Sequence, residues 1–217
     1  MLRVEEVSLT YASGGKVSYA VDRASLQVPT GSFVGVIGPS GSGKSSLLYV
    51  LSGLKRPTSG RVVFDGISYA DTPTWQLIHL RRERFGFVFQ QHFLINYLNV
   101  LENVMVGAPI RDEATVRHAR ILLERVGLEG KLRQRPYQLS IGERQRVAVV
   151  RALVHKPQLV FADEPTAALD QATGKHVISL LVAFRREEGG SVVVVTHDPA
   201  MLSDADDVLQ LHDGRLN

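Results

Sequence analysis

Residues Gly38 to Ser45 read GPSGSGKS, which puts Gly38, Gly43, Lys44 and Ser45 at the fixed positions of G-x-x-x-x-G-K-S/T. These residue types in this order suit the holding of phosphate groups. Gly41 and Gly43 let the backbone turn through positive φ and come close to a ligand. The N–H groups of Ser40, Gly41 and Ser42, in a loop that turns at Pro39, form an anion nest. A helix starting near Gly43 and continuing through Ser46 adds its positive N-terminal end. Lys44 brings a point charge to the outer phosphates. Ser45 offers a hydroxyl to Mg²⁺, which prefers oxygen ligands and keeps some of its waters.

A second group of chemically useful residues is Leu159 to Glu164, LVFADE. An apolar strand delivers two carboxylates at its C-terminal edge, where ligands bind in open α/β sheets. Asp163 suits a water-mediated Mg²⁺ ligand, and Glu164 suits the base that orients an attacking water. A strand ending in two solvated acids would read the same way. The phosphate loop upstream favours chemistry.

The elements that must position these groups alternate. Strand-like runs are expected at 4–10, 24–28, 33–37, 61–64, 85–89, 159–162, 192–196 and 208–211, and helices at 44–52, 114–126, 142–154 and 171–188. Asp112 is an N-cap candidate, and Gly127 and Gly189 are helix stops. This order predicts a parallel sheet with covering helices, an α/β fold. The N-terminal segment, with a turn at Pro57 to Gly60, predicts a small antiparallel sheet on one flank. Residues 92–156 read as helices only, an inserted subdomain. One domain is therefore expected: residues 1–91 and 157–217 form the catalytic core with its β subdomain, and 92–156 the helical part.

Composition narrows the classes. A chain of 217 residues with 44% hydrophobic content can bury a substantial core. The net charge of +3 is spread out, which argues against a nucleic-acid footprint. There is no cysteine, hence no disulfide or thiolate metal site. No apolar run approaches the roughly 18 residues that span a bilayer, and the start of the chain does not read as a signal peptide. The expectation is a cytoplasmic protein that reaches a membrane only through a partner.

Several further residues, in their order along the chain, carry a family resemblance. Tyr11 precedes the phosphate loop, Gln90 stands in FGFVFQQ, and Leu139 to Glu143 read LSIGE. Asp163 and Glu164 follow, then Ala167-Ala168-Leu169-Asp170, then His197 in VVTHDP. The whole chain resembles the nucleotide-binding subunit of an ATP-binding-cassette (ABC) transporter. The resemblance implies a P-loop NTPase (RecA-like) core with a flanking antiparallel β subdomain and an inserted α-helical subdomain. It implies ATP and Mg²⁺ as ligands, and ATP hydrolysis. Tyr11 matches the aromatic that stacks on adenine; from residue type alone it could equally be an edge-strand aromatic. Gln90 matches the glutamine that links the metal site to the membrane partner. His197 matches the switch histidine that senses the terminal phosphate. Asp170 belongs to the loop that crosses the dimer interface.

LSIGE explains why two chains are needed. Ser140 is an N-cap residue type, and Gly142 allows close backbone approach. A helix N-terminus with a free hydroxyl and bare N–H groups is a second anion site, yet one terminal phosphate is already held by residues 38–45. In the family the second site grips the nucleotide of the opposing subunit. The resemblance thus implies a head-to-tail homodimer closed by two ATPs. Ile141 stands where the family most often has Gly, Glu143 where Gln is frequent, and Ser46 where Thr is usual. Arg144, Gln145 and Arg146 read as a solvated helix face, with Val147, Val150 and Val154 inward.

The compact form resembles the lipoprotein-releasing, macrolide-efflux and cell-division ATPase subunits, and with them a bacterial source. The chain would then sit peripherally on the cytoplasmic face of the inner membrane, driving a separate membrane subunit. Two alternatives stay open: a soluble non-transport ABC ATPase, and another phosphate-loop enzyme such as a nucleotide kinase. The second leaves LSIGE and His197 unexplained. Phe93, Leu94 and Tyr97 are expected in an exposed apolar groove for the membrane permease, with Ile95 and Leu98 packed inside the helical subdomain.

Overall fold

The computed structural model describes residues 1–13, 16–167 and 169–217. Two sheets and a helical subdomain make up the fold. The larger sheet contains β3 (Phe33–Ile37), β6 (Phe85–Val88), β7 (Leu159–Asp163), β8 (Ser191–Thr196), β9 (Asp207–His212) and β10 (Arg215–Leu216), in the order β10-β9-β3-β8-β7-β6. All its pairings are parallel except β9 with β10. The smaller sheet is antiparallel, with β1 (Leu2–Ser13), β2 (Lys16–Val28), β4 (Ser59–Phe64) and β5 (Ile67–Ser68) in the order β2-β1-β4-β5. The flanking antiparallel sheet and the parallel core are as expected.

The central strands are buried on both faces, which is why they read as unbroken apolar runs. On β7, Leu159 and Phe161 join a core shared with the antiparallel sheet and α1 (Lys44–Leu51). Val160 and Ala162 point the other way, into a core with α5 (Ile141–Leu153) and α6 (Gln171–Glu188). The valines of β8 alternate in the same manner. A third core joins α3 (Val100–Met105), α4 (Glu113–Arg125) and α5. Val147, Val150 and Val154 point into it, as expected. Asp112 caps α4, and Gly189 ends α6 in a left-handed conformation.

Several elements differ from the sequence reading, among them the two-residue strands β5 and β10, which were not expected. Strand β2 starts at Lys16 rather than near Ala24; its first half is a hairpin arm on which Val17 and Tyr19 are exposed. Helix α2 (Thr74–Arg84) was not expected; it buries only Leu77 and Leu80. The short α3 was also missed. Its Asn99 capping box with Glu102 marks the start, but six residues carry too little periodicity to reveal it.

The segment between β6 and α3 has no regular structure, and its second half is held by one side chain. Asn103 is buried; its oxygen accepts the Ile95 N–H at 2.7 Å, and its amide lies 3.0–3.1 Å from the carbonyls of Ile95, Leu98 and Asn99. Asn103→Ala strands these backbone groups and is expected to cost about 2–3 kcal/mol, read as a lower urea midpoint. A parent-like midpoint would show that water replaces the amide. Among the described residues, no helix is long and apolar enough to cross a membrane.

Candidate functional site

Register brings the chemical groups to one sheet edge. Ile37 at the end of β3 pairs with Thr196 on β8. Asp163 on β7 pairs with Val195, and Val88 on β6 with Ala162. The phosphate loop, His197, Glu164 and Gln90 therefore leave four neighbouring strands at their C-terminal ends, where such sheets bind ligands. A cavity of about 520 Å³ opens there. Ser40, Gly41 and the run from Gly43 to Ser46 form one wall, with Gln90, Glu164 and His197 facing them; Ala20 completes the lining.

The loop is built for close approach. Gly43 has φ 101°, and a Cβ there would lie 1.9 Å from the Ala20 carbonyl oxygen. At Gly38 it would strike the Leu211 carbonyl oxygen at 2.1 Å. Lys44 is 7% exposed and donates to the carbonyls of Gly38 at 2.8 Å and Pro39 at 3.0 Å. Its side chain thus closes the loop on itself and carries a buried positive charge to the cavity. The Ser42 hydroxyl is buried without a partner, and the space around Gly41 is open. A sheltered cation and an uncluttered backbone fit an anion with several oxygens.

The acids stand opposite. Glu164 takes a left-handed backbone, φ 44°, a conformation that costs a non-glycine residue about 1–3 kcal/mol. This bend aims its carboxylate inward. One oxygen lies 3.6 Å from the Lys44 ammonium. The other accepts from His197 Nδ1 at 2.9 Å and from the His197 backbone N–H at 3.3 Å. Asp163 is buried and accepts the Ser45 hydroxyl at 2.9 Å. Burial pushes its carboxyl above the usual range, against the lowering effect of the Ser45 hydrogen bond. Among the described residues no three His, Cys, Asp or Glu side chains cluster as a metal cage. Ser45, Asp163 and Gln90 instead match the sparse oxygen set that Mg²⁺ uses when phosphates complete its shell.

Other expected site residues lie outside the cavity lining. Tyr11 is on β1, and its hydroxyl accepts from Lys55 at 2.8 Å. Asp170 caps α6, accepting from the Thr173 N–H and hydroxyl. Of the loop before it, Ala168 falls outside the described residues. Ser140 and Gly142 begin α5, away from this chain's own cavity. The expectation of a free Ser140 hydroxyl needs correction. Its oxygen accepts the Glu143 N–H, and Glu143 in turn accepts the Ser140 N–H, a capping box. The hydroxyl proton and the N–H groups of Ile141 and Gly142, which precede the first intrahelical bonds, remain for a ligand. Lys131 pairs with Glu143 at 2.5 Å, and that contact holds the Glu143 carboxyl below the usual range.

Gln145 corrects a second expectation. It does not sit on a solvated face but is 2% exposed, with its oxygen 2.5 Å from His92 Nδ1. Arg151, also on α5, donates to the carbonyls of His92 and Phe93 at 2.7 Å each. The signature helix thus grips the segment just after Gln90. No local sequence signal marks this link, since its partners are more than 50 positions apart.

Past Gln90 an aromatic file leads outward. Phe87 stacks on Phe89 at 5.8 Å, and Phe89 meets Phe93 edge-on at 5.5 Å. Together with Arg81, Val106 and Arg151 they line a groove of about 420 Å³. Phe93 and Tyr97 are 62% and 75% exposed. Leu94 departs from expectation: it is half-buried and packs on the helical core. Ile95 and Leu98 are half-buried too.

Fold and edge site together define a phosphate-loop ATPase whose helical subdomain presents a second helix N-terminus. The chain belongs to the ABC transporter family, whose model matches residues 21–167. It is 40% identical over 222 residues to the lipoprotein-releasing system ATP-binding protein LolD of Legionella pneumophila, spanning 100% of this chain and 96% of that one. It is 42% identical over 219 residues to the macrolide export ATP-binding/permease protein MacB 1/2 of Paracoccus denitrificans. There it spans all of this chain but 33% of the relative. A dimeric post-hydrolysis structure of the ATP-binding cassette MJ0796, bound to ADP and Pi, superposes with a TM-score of 0.92 at 38% identity, covering 100% of this chain and 97% of that one. CbiO1 of Clostridium perfringens, part of the ABC transporter complex cbiONQ, gives 0.85 at 30% identity, covering 100% and 86%. The expected fold and the ABC-type ATPase activity are borne out. Of the functions weighed, the transporter ATPase is the one that family and relatives support.

Proposed function

We propose that two copies of this chain close head to tail around two ATPs and drive a separate membrane permease at the cytoplasmic face of the inner membrane. The observation that carries this reading is the position of Ser140 and Gly142: they start a helix whose N–H groups do not face this chain's own cavity. The dimeric state of the MJ0796 cassette supports it.

In this reading the N–H groups between Ser40 and Ser46, together with Lys44, hold the phosphates of ATP. Tyr11 offers its ring to the adenine. Ser45, Gln90 and Asp163 would hold a Mg²⁺, which neutralises charge on the phosphate oxygens when bound. Glu164 accepts the proton of the attacking water. His197 Nδ1–H keeps the Glu164 carboxylate oriented, and its ring borders the cavity on the side where the terminal phosphate sits. Ser140 and Gly142 donate to that phosphate from the facing chain, and Asp170 lies next to them in the interface. The α5 contacts to His92 and Phe93 carry any shift of Gln90 to the aromatic groove.

The proposed docking surface is that groove, which Phe93 lines, together with the exposed Tyr97 outside its lining; exposed aromatics dominate such interfaces. Leu94 packs on the helical core instead. Phe93→Asp and Tyr97→Asp are each expected to leave folding and ATP affinity unchanged while abolishing capture of the permease in detergent. They should also remove its stimulation of ATPase activity. Undiminished capture by both variants would move the docking surface elsewhere. If the parent chain captures no membrane protein, the soluble ABC ATPase becomes the better reading.

A further inference from the structure

Lys55 stands in the turn after α1, 44 positions from Tyr11, and its backbone N–H is tied to the Tyr49 carbonyl at 2.9 Å. Its ammonium donates to the Tyr11 hydroxyl at 2.8 Å and lies 4.4 Å from the ring centroid, beyond the hydroxyl rather than above the ring. The cation therefore fixes the tip of the aromatic. Tyr11 is 38% exposed. The phenol is held below its ordinary range by the Lys55 hydrogen bond first and a Ser46 hydrogen bond second. Ser46 itself lines the phosphate cavity. The hydroxyl of the ring is thus held by the α1 turn.

One physical consequence follows for a flat ligand. An exposed tyrosine must give up rotamer freedom when a base stacks on it, and here that freedom is already restricted by the hydrogen bond at its tip.

We propose that Lys55 is a positioning residue for the base of the nucleotide, holding Tyr11 as one rigid wall of the purine subsite. The proposal rests on Tyr11 being that wall. A competing explanation is that an exposed lysine merely attracts phosphate through space. The two differ in what they do to a ligand without a base.

The test is calorimetric titration of ADP and of inorganic pyrophosphate into the parent chain, Lys55→Met, Lys55→Arg and Tyr11→Ala. Neither ligand requires hydrolysis or dimer closure. Lys55→Met is expected to weaken ADP binding about two- to fivefold, the scale of one exposed hydrogen bond, and to leave pyrophosphate unchanged. Lys55→Arg keeps a donor to the Tyr11 hydroxyl and should restore most of the ADP affinity. Equal weakening of both ligands by Lys55→Met would overturn the proposal in favour of simple charge attraction. Unchanged ADP affinity in Lys55→Met, with weakened affinity in Tyr11→Ala, would overturn it while keeping Tyr11 as the wall. If Tyr11→Ala itself binds ADP like the parent, the wall reading fails and the proposal with it.

Discussion

Glu164→Gln is expected to bind ATP at least as well as the parent chain and to turn it over about a hundredfold more slowly, or worse. A positioned base contributes on the order of 10²–10⁴ in rate, and an amide cannot take the proton. The substitution is conservative in every other respect. Glutamine has the same length and meets the same left-handed backbone. Its oxygen can still accept from His197. The ion pair across 3.6 Å with Lys44 is lost, which frees that cation for phosphate, so affinity should not fall. Phosphate release and equilibrium nucleotide binding measure the two quantities separately. Parent-like turnover would remove Glu164 from the proposed role.

Gly142→Asp is the second large effect. ATP binding to the single chain should persist, because residue 142 is outside that chain's cavity. Hydrolysis should fall by at least about a hundredfold, the cost of losing one such anion donor site. An aspartate in the first turn is compatible with the helix dipole, so α5 itself should survive. The added Cβ approaches the Thr173 methyl at 3.0 Å, which calls for a small side-chain adjustment there. The new carboxylate would oppose the terminal phosphate presented by the facing chain. Mixing Gly142→Asp chains with Lys44→Ala chains creates one site with an intact loop and an intact signature. Partial return of activity in the mixture supports the shared site; full activity of Gly142→Asp alone would refute it.

How much of this was legible in the sequence depends on where each side chain finds its partner. The phosphate loop and the Asp163-Glu164 pair stand at strand ends, so residue type and spacing were enough to place them at one sheet edge. The apolar runs at 33–37, 159–162 and 192–196 are buried on both faces, and they read as central strands without help. Gln145 was misread because its partner His92 lies on another segment, and a glutamine in a run of arginines looks solvated. Leu94 was misread for a related reason: an apolar residue beside two exposed aromatics gives no sign of which way it points. Ala20 reaches the cavity wall from β2, and Lys55 meets Tyr11 across 44 positions. Neither leaves a trace in residue type. Helix α2 was missed because two buried leucines in eleven residues make too narrow a stripe.

The central claim is that one chain supplies the phosphate loop and another the signature helix to the same ATP. Light scattering combined with nucleotide counting on ATP-loaded Glu164→Gln tests it most directly. The account predicts a species of two chains holding two nucleotides, reduced to single chains with one nucleotide each when Gly142→Asp is added. A Glu164→Gln chain that is saturated with ATP and remains a single chain would contradict it.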